Sequence, residues 1–153
     1  MSIPKLSDYK EVVGRDVVGE LYTLASNVGN RSIKMVNSTA VGGGVAEMLH
    51  RVVPLLNELG IETKWEVIKG GADFFDITKA FHNALQGKEE YFEQEVFKTY
   101  LAYNEMNYQE MSFDEDLIVI HDPQPASLIK WQKKRKNKWV WRCHIDMSHP
   151  NQQ

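Results

Sequence analysis

The chain has a single cysteine, Cys143, so no intramolecular disulfide can brace it and its stability has to come from a packed core. A lone thiol also fits a reducing compartment. Long apolar runs are missing: none approaches the ~18 residues that a membrane span requires, and Met1 to Lys5 carry no apolar signal core. No membrane partner is therefore expected, and the expected location is the cytoplasm. Internal repeats and low-complexity linkers are absent, so nothing divides residues 1–153 into more than one domain. An excess of positive charge is absent too, and a net charge of −3 argues against nucleic acid as the main partner. Lys130, Lys133, Lys134, Arg135, Lys136 and Lys138 do cluster, but without an interleaved aromatic platform they read as the solvated end of a helix and its turn. What remains, 42% hydrophobic and 25% charged residues, is the composition of an ordinary globular protein.

Glycine is concentrated where it matters. Val36 to Thr39 read as the end of a β-strand, Gly42, Gly43 and Gly44 follow, and Val45, Met48, Leu49, Val52, Val53, Leu56 and Leu59 then recur at helical spacing up to Gly60. Pro54 kinks this helix rather than ending it. A run of glycines lets the backbone take positive φ and lets a ligand approach closely, while the helix aims its free N–H groups and positive dipole end at the same spot. The spacing fits neither familiar phosphate motif. A dinucleotide fingerprint aligned on Gly42 and Gly44 would need a third glycine where Glu47 stands, and a P-loop would need Gly-Lys-Ser/Thr where Gly44-Val45-Ala46 stands. The loop alone is thus read as a phosphate or sugar cradle, or simply as a tight turn.

Patterning along the rest of the chain predicts a short helical region over Ser7–Ala25. It predicts strands at Ile33–Thr39, Thr63–Ile68, Asp116–His121 and Lys138–Ile145, and helices at Val45–Leu59, Asp73–Leu85, Glu89–Glu110 and Pro125–Lys134. Such alternation implies an α/β fold, a Rossmann-like parallel sheet with helices on both faces. Leu117-Ile118-Val119-Ile120 has the continuous apolar character of a strand buried on both faces. In such sheets ligands bind beyond the carboxyl ends of the strands. Asn37, Ser38 and Thr39, then His121, Asp122 and Gln124, then Arg142, His144 and Asp146 are all expected at that edge, joined by His82, Asn83 and Gln86 from a helix. The sequence ends just past the last of these tips, where a binding crevice is expected to acquire its other wall. Individually the residues have plainer uses: Asp122 can start a turn or cap the helix expected from Pro125, His82 can simply be half-buried, and Arg142 can pair with a neighbouring carboxylate. Cys143, His144, Asp146 and His149 sit close in sequence, but alternation turns Cys143 away from His144 and Asp146, and no metal is expected. No serine stands in a nucleophile elbow.

Four motifs in order resemble one family: Val36-Asn37-Ser38-Thr39 with Gly42 to Leu49, Phe81-His82-Asn83-Ala84-Leu85-Gln86-Gly87, His121-Asp122-Pro123-Gln124-Pro125-Ala126, and Trp141-Arg142-Cys143-His144-Ile145-Asp146. They are similar to the N-terminal half of trehalose synthases of the glycosyltransferring type, retaining GT-B enzymes close to the trehalose phosphorylases. The resemblance implies a glucose acceptor, a nucleotide-glucose donor held mainly by a C-terminal domain not represented here, and no cofactor. It implies that Gly42, Gly43 and Gly44 approach the donor diphosphate and sugar, that Asp122 hydrogen-bonds the acceptor, and that His144 contacts the donor sugar near its anomeric centre. His82, Asn83, Gln86, His121 and Gln124 fall on the acceptor side. On this reading the chain is an acceptor-binding half that is inactive alone and self-associates. The alternative is a stand-alone, non-catalytic sugar-binding or oligomerising module.

Overall fold

The computed structural model describes residues 5–132 and 137–152. Two helices come first, α1 (Leu6–Val13) and α2 (Arg15–Val28), then β1 (Ile33–Asn37), α3 (Gly44–Glu58), β2 (Thr63–Val67), α4 (Ala72–Leu85) and α5 (Gln94–Glu110). They are followed by β3 (Leu117–His121), a 3-10 helix (Ala126–Trp131) and β4 (Lys138–Arg142). The four strands form one sheet in the order β2-β1-β3-β4, and every pairing is parallel. The fold is thus the expected Rossmann-like one, a half of the GT-B architecture.

Helices cover both faces of the sheet. The register sets Val36 beside Ile120 and Lys34 beside Ile118, and by alternation these four share a face. There Val36, Ile118 and Ile120 pack with Ile68, Phe74 and Leu128, flanked by Tyr100, Tyr103 and Tyr108 of α5. Trp65 lies on the other face and meets His50 of α3 edge-on, with ring centroids 4.7 Å apart. Lys34, only 2% exposed, is paired within the core with Glu66, whose carboxylate lies 2.7 Å from its Nζ. No helix among the described residues is long and apolar enough to cross a membrane.

Several boundaries depart from the sequence reading. The helical region over Ser7–Ala25 is two helices, because Gly14 between them adopts φ 88°, which breaks the run. Residues 89–93 are not helical: the Asn151 side chain hydrogen-bonds the carbonyls of Lys88 and Glu90, and Phe92 is drawn between Phe81 and Phe97 instead. The segment expected as a helix from Pro125 is a 3-10 turn, closed by bonds such as Leu128 N–H to the Pro125 carbonyl. With its larger rise per residue, a 3-10 turn spans a short parallel crossover using fewer residues. Lys133 and Lys134 of that expected helix, together with Arg135 and Lys136 of the basic cluster, lie outside the described residues; Lys130 and Lys138 are exposed. Finally, β4 ends at Arg142 rather than Ile145, since the His144 N–H leaves the ladder to bond the Asp122 carboxylate at 2.8 Å.

Candidate functional site

Strand β1 has β2 on one side and β3 on the other, so the loops that leave β1 and β3 diverge at their carboxyl ends. A crevice opens at such a switch point. Here it is a cavity of about 400 Å³, lined by Asn37, Ser38, Thr39, Gly42, Gly43, Gly44, Val45, His82, Asp122, His144 and Ile145. That volume is within the usual range of ~300–1,000 Å³ for small-molecule sites.

One wall is the glycine loop. Gly42 and Gly43 take φ 74° and 83°, which a side chain would resist, and nothing lies within 4 Å of where a Cβ would stand on either. The glycines therefore serve backbone conformation and leave open space in front of it. Helix α3 begins at Gly44 with no side-chain cap, so its first amides stay available to an anion or hydroxyl. Neighbours brace the loop. Trp65 donates its indole N–H to Asn37 Oδ1 at 2.7 Å, Asn37 donates to the Thr39 carbonyl at 2.8 Å, and His50 Nε2 lies 2.8 Å from the Ala40 carbonyl.

The opposite wall is built on Asp122. It is the one non-glycine with positive φ among the described residues, at 65°, a conformation that Asp tolerates better than most side chains. Three bonds hold it there: its N–H donates to the Arg142 carbonyl at 3.0 Å, its carbonyl accepts from the Trp141 indole at 2.9 Å, and its Oδ1 accepts from the His144 backbone. A strained, over-determined acidic residue at a cavity wall is the arrangement expected of a functional position. Beside it the His144 ring stacks on His121, with centroids 5.2 Å apart, and His144 Nε2 lies 2.9 Å from His121 Nδ1. Burial, then the neighbouring His144 and Arg142, push the His121 imidazole down to about 4 against a smaller opposing pull from Asp122. His121 is therefore neutral at physiological pH.

The structure brings together most of the sequence candidates but not all. Gly42, Gly43, Gly44, Asp122, His144 and His82 line the cavity, whereas Asn83, Gln86, His121 and Gln124 do not. Asn83 and Gln86 close the end of α4, the Asn83 carbonyl accepting from the amides of Gln86 and Lys88. Gln124 lends its carbonyl to Asn104 of α5. His121 is 1% exposed and sits behind His144. Asp146 turns back on its own loop, where bonds from the Ser148 hydroxyl and amide hold its carboxyl below the usual range. Val45 and Ile145, apolar lining that sequence reasoning did not assign to the site, directly follow the candidates Gly44 and His144 in the chain. The bracing side chains Trp65 and His50 carried no signal, because their partners are distant in sequence, and Trp141 stood out only as a member of the fourth motif. Among the described residues no group of three or more His, Cys, Asp or Glu is placed to hold a metal ion.

Comparison with known proteins places the chain in a family. A family model described as trehalose synthase, N-terminal domain, matches residues 35–153, which include every residue lining the cavity. Trehalose synthase of Thermococcus litoralis is 46% identical over 149 residues, covering 96% of this chain and 36% of that protein. Trehalose synthase of Rubrobacter xylanophilus is 39% identical, covering 97% and 37%. Trehalose phosphorylase of Pleurotus pulmonarius is more distant at 29%, covering 95% of this chain and 22% of that protein. The chain thus spans little more than a third of the length of the synthases it matches, less than the half that the motifs suggested. The chain belongs to the family of trehalose synthase N-terminal domains.

Proposed function

We propose that this domain is the acceptor-binding half of a retaining glycosyltransferase that joins glucose from a nucleotide-glucose to free glucose, and that it does not turn over alone. The observation that carries this reading is the cavity at the β1–β3 switch point, where a glycine loop at an uncapped helix start faces Asp122 and His144 within a family whose named members are trehalose synthases. Each part has a chemical use. The Asp122 carboxylate accepts hydrogen bonds from sugar hydroxyls. The loop and first α3 amides stabilise negative charge as a phosphate departs, and His144 contacts the donor sugar near the reacting carbon. Front-face transfer with retention needs the acceptor hydroxyl held close to the leaving oxygen, which is a matter of positioning rather than of a nucleophilic carboxylate pair. Half a cleft positions only one reactant.

A glucose titration followed by amide chemical shifts tests this. Binding is expected to be weak, in the millimolar range or above, with shifts centred on Asp122 and His82. Asp122→Asn, which tolerates the same positive φ, should weaken it at least tenfold. Shifts confined elsewhere, or unchanged binding by the variant, would refute the assignment. Fusion to a C-terminal domain from the family should produce glucosyl transfer that the isolated chain lacks. His144→Ala in the fusion should lower kcat far more than it raises the KM for glucose.

A further inference from the structure

We propose that His121 is a positioning residue which fixes His144 in the tautomer that carries its proton on Nδ1, so that His144 meets the sugar as a hydrogen-bond donor. The inference rests on the reading of His144 as part of the sugar site and adds which face of its chemistry the ring presents.

The atoms in contact are His121 Nδ1 and His144 Nε2, 2.9 Å apart with the rings inclined by 19°. A neutral imidazole has one N–H and one lone pair, so this bond has two possible directions. If His144 donated from Nε2, His121 would accept at Nδ1 and carry its own proton on Nε2. That Nε2 is buried and has no hydrogen-bond partner among the described residues, so an N–H there would be orphaned. If His121 donates from Nδ1, its Nε2 is left with only an idle lone pair. Orphaned buried N–H groups are the rarer defect in native proteins, and the second direction avoids one. The burial that keeps His121 neutral supports this, because an imidazolium would need acceptors at both nitrogens. The His144 Nε2 lone pair is then occupied, and its ring carries its proton on Nδ1. The main chain that carries the ring is also anchored, since the His144 backbone N–H is tied to Asp122 Oδ1 at 2.8 Å. The buried His121 thus orders the exposed His144 without touching the cavity.

The test is a long-range ¹⁵N–¹H spectrum of the imidazole rings in the 153-residue chain at neutral pH. His144 is expected as the Nδ1–H tautomer, and His121 as Nδ1–H with a bare Nε2. His121→Asn, whose amide keeps a donor at the Nδ1 position, should preserve the His144 pattern. His121→Leu should shift it towards the free-imidazole mixture, in which Nε2–H predominates. A native His144 protonated on Nε2 overturns the proposal, even if the leucine variant does not fold, and so does a folded His121→Leu chain with the native pattern. A structural role alone predicts lost stability without the asparagine rescue of the tautomer. Failure of glucose to bind would leave these spectra untouched, so the two readings fail separately.

Discussion

At the scale of single residues, the site depends on surroundings that fix a backbone conformation in one case and a charge state in another. Asp122 sits at φ 65° because backbone and side-chain bonds on every side keep it there. His121 stays neutral because burial outweighs the pull of Asp122. The second of these has a measurable consequence for stability. The folded pKa of His121 is about 4, below the ordinary 6.5, so between those values the unfolded chain binds the proton and the folded chain does not. Stability contributed by neutral His121 is therefore fully present above pH ~6.5 and is lost as pH falls towards 4. Allowing for partial screening, the loss is of order 2 kcal/mol. Urea denaturation at pH 7 and pH 4.5 should show it, and His121→Asn should flatten that part of the profile. A wild-type midpoint that does not move over this range would contradict the burial argument.

At the scale of elements, α5 does more than cover the sheet. It presents Tyr100, Asn104 and Asn107 inward, at i, i+4 and i+7. The Tyr100 hydroxyl donates to the Pro123 carbonyl at 2.7 Å, and the Asn104 amide donates to the Gln124 carbonyl at 3.0 Å. Asn107 accepts from the Lys69 N–H and donates to the Lys69 carbonyl, both at 2.7 Å. One helix thus pins the loops that leave β2 and β3, and the second of these carries Asp122. The sequence pattern hid this, since buried asparagines on a helix read as a solvated face. Asn107→Leu keeps the branched shape but leaves the part-buried Lys69 N–H and carbonyl without their partner, and should cost about 2 kcal/mol in a denaturant titration. A loss under about 0.5 kcal/mol, the level of an ordinary surface change, would show that water replaces the amide.

At the scale of the molecule, apolar surface is left over. Among the described residues strand β4 pairs only with β3, and on it Val140 and Trp141 are 46% and 48% exposed. Val17, Leu21 and Leu24 of α2 are likewise between 37% and 53% exposed. An edge strand with apolar side chains on both faces invites association. We therefore expect the isolated domain to self-associate, its scattering mass rising with concentration, and Val140→Lys to reduce this by charging the edge. A strictly monomeric wild-type chain at high concentration would count against it.

The sequence by itself determined the order and type of the main elements, the parallel sheet, and the loops on which the candidate site residues sit. Those features follow from local signals: apolar periodicity, the glycine run, and strand tips rich in polar groups. Only the tertiary structure decided which of those residues share a cavity and which stand behind it. His121 and His144 look alike in sequence, yet one is 1% exposed and the other lines the cavity. Their contact joins strands whose register is set by long-range pairing. The extent of β4, the gap between α4 and α5 and the 3-10 crossover were decided in the same way. In the first two, a hydrogen bond or ring contact with a distant residue outweighs a local propensity worth under about 1 kcal/mol, and in the third the short span between paired strands does.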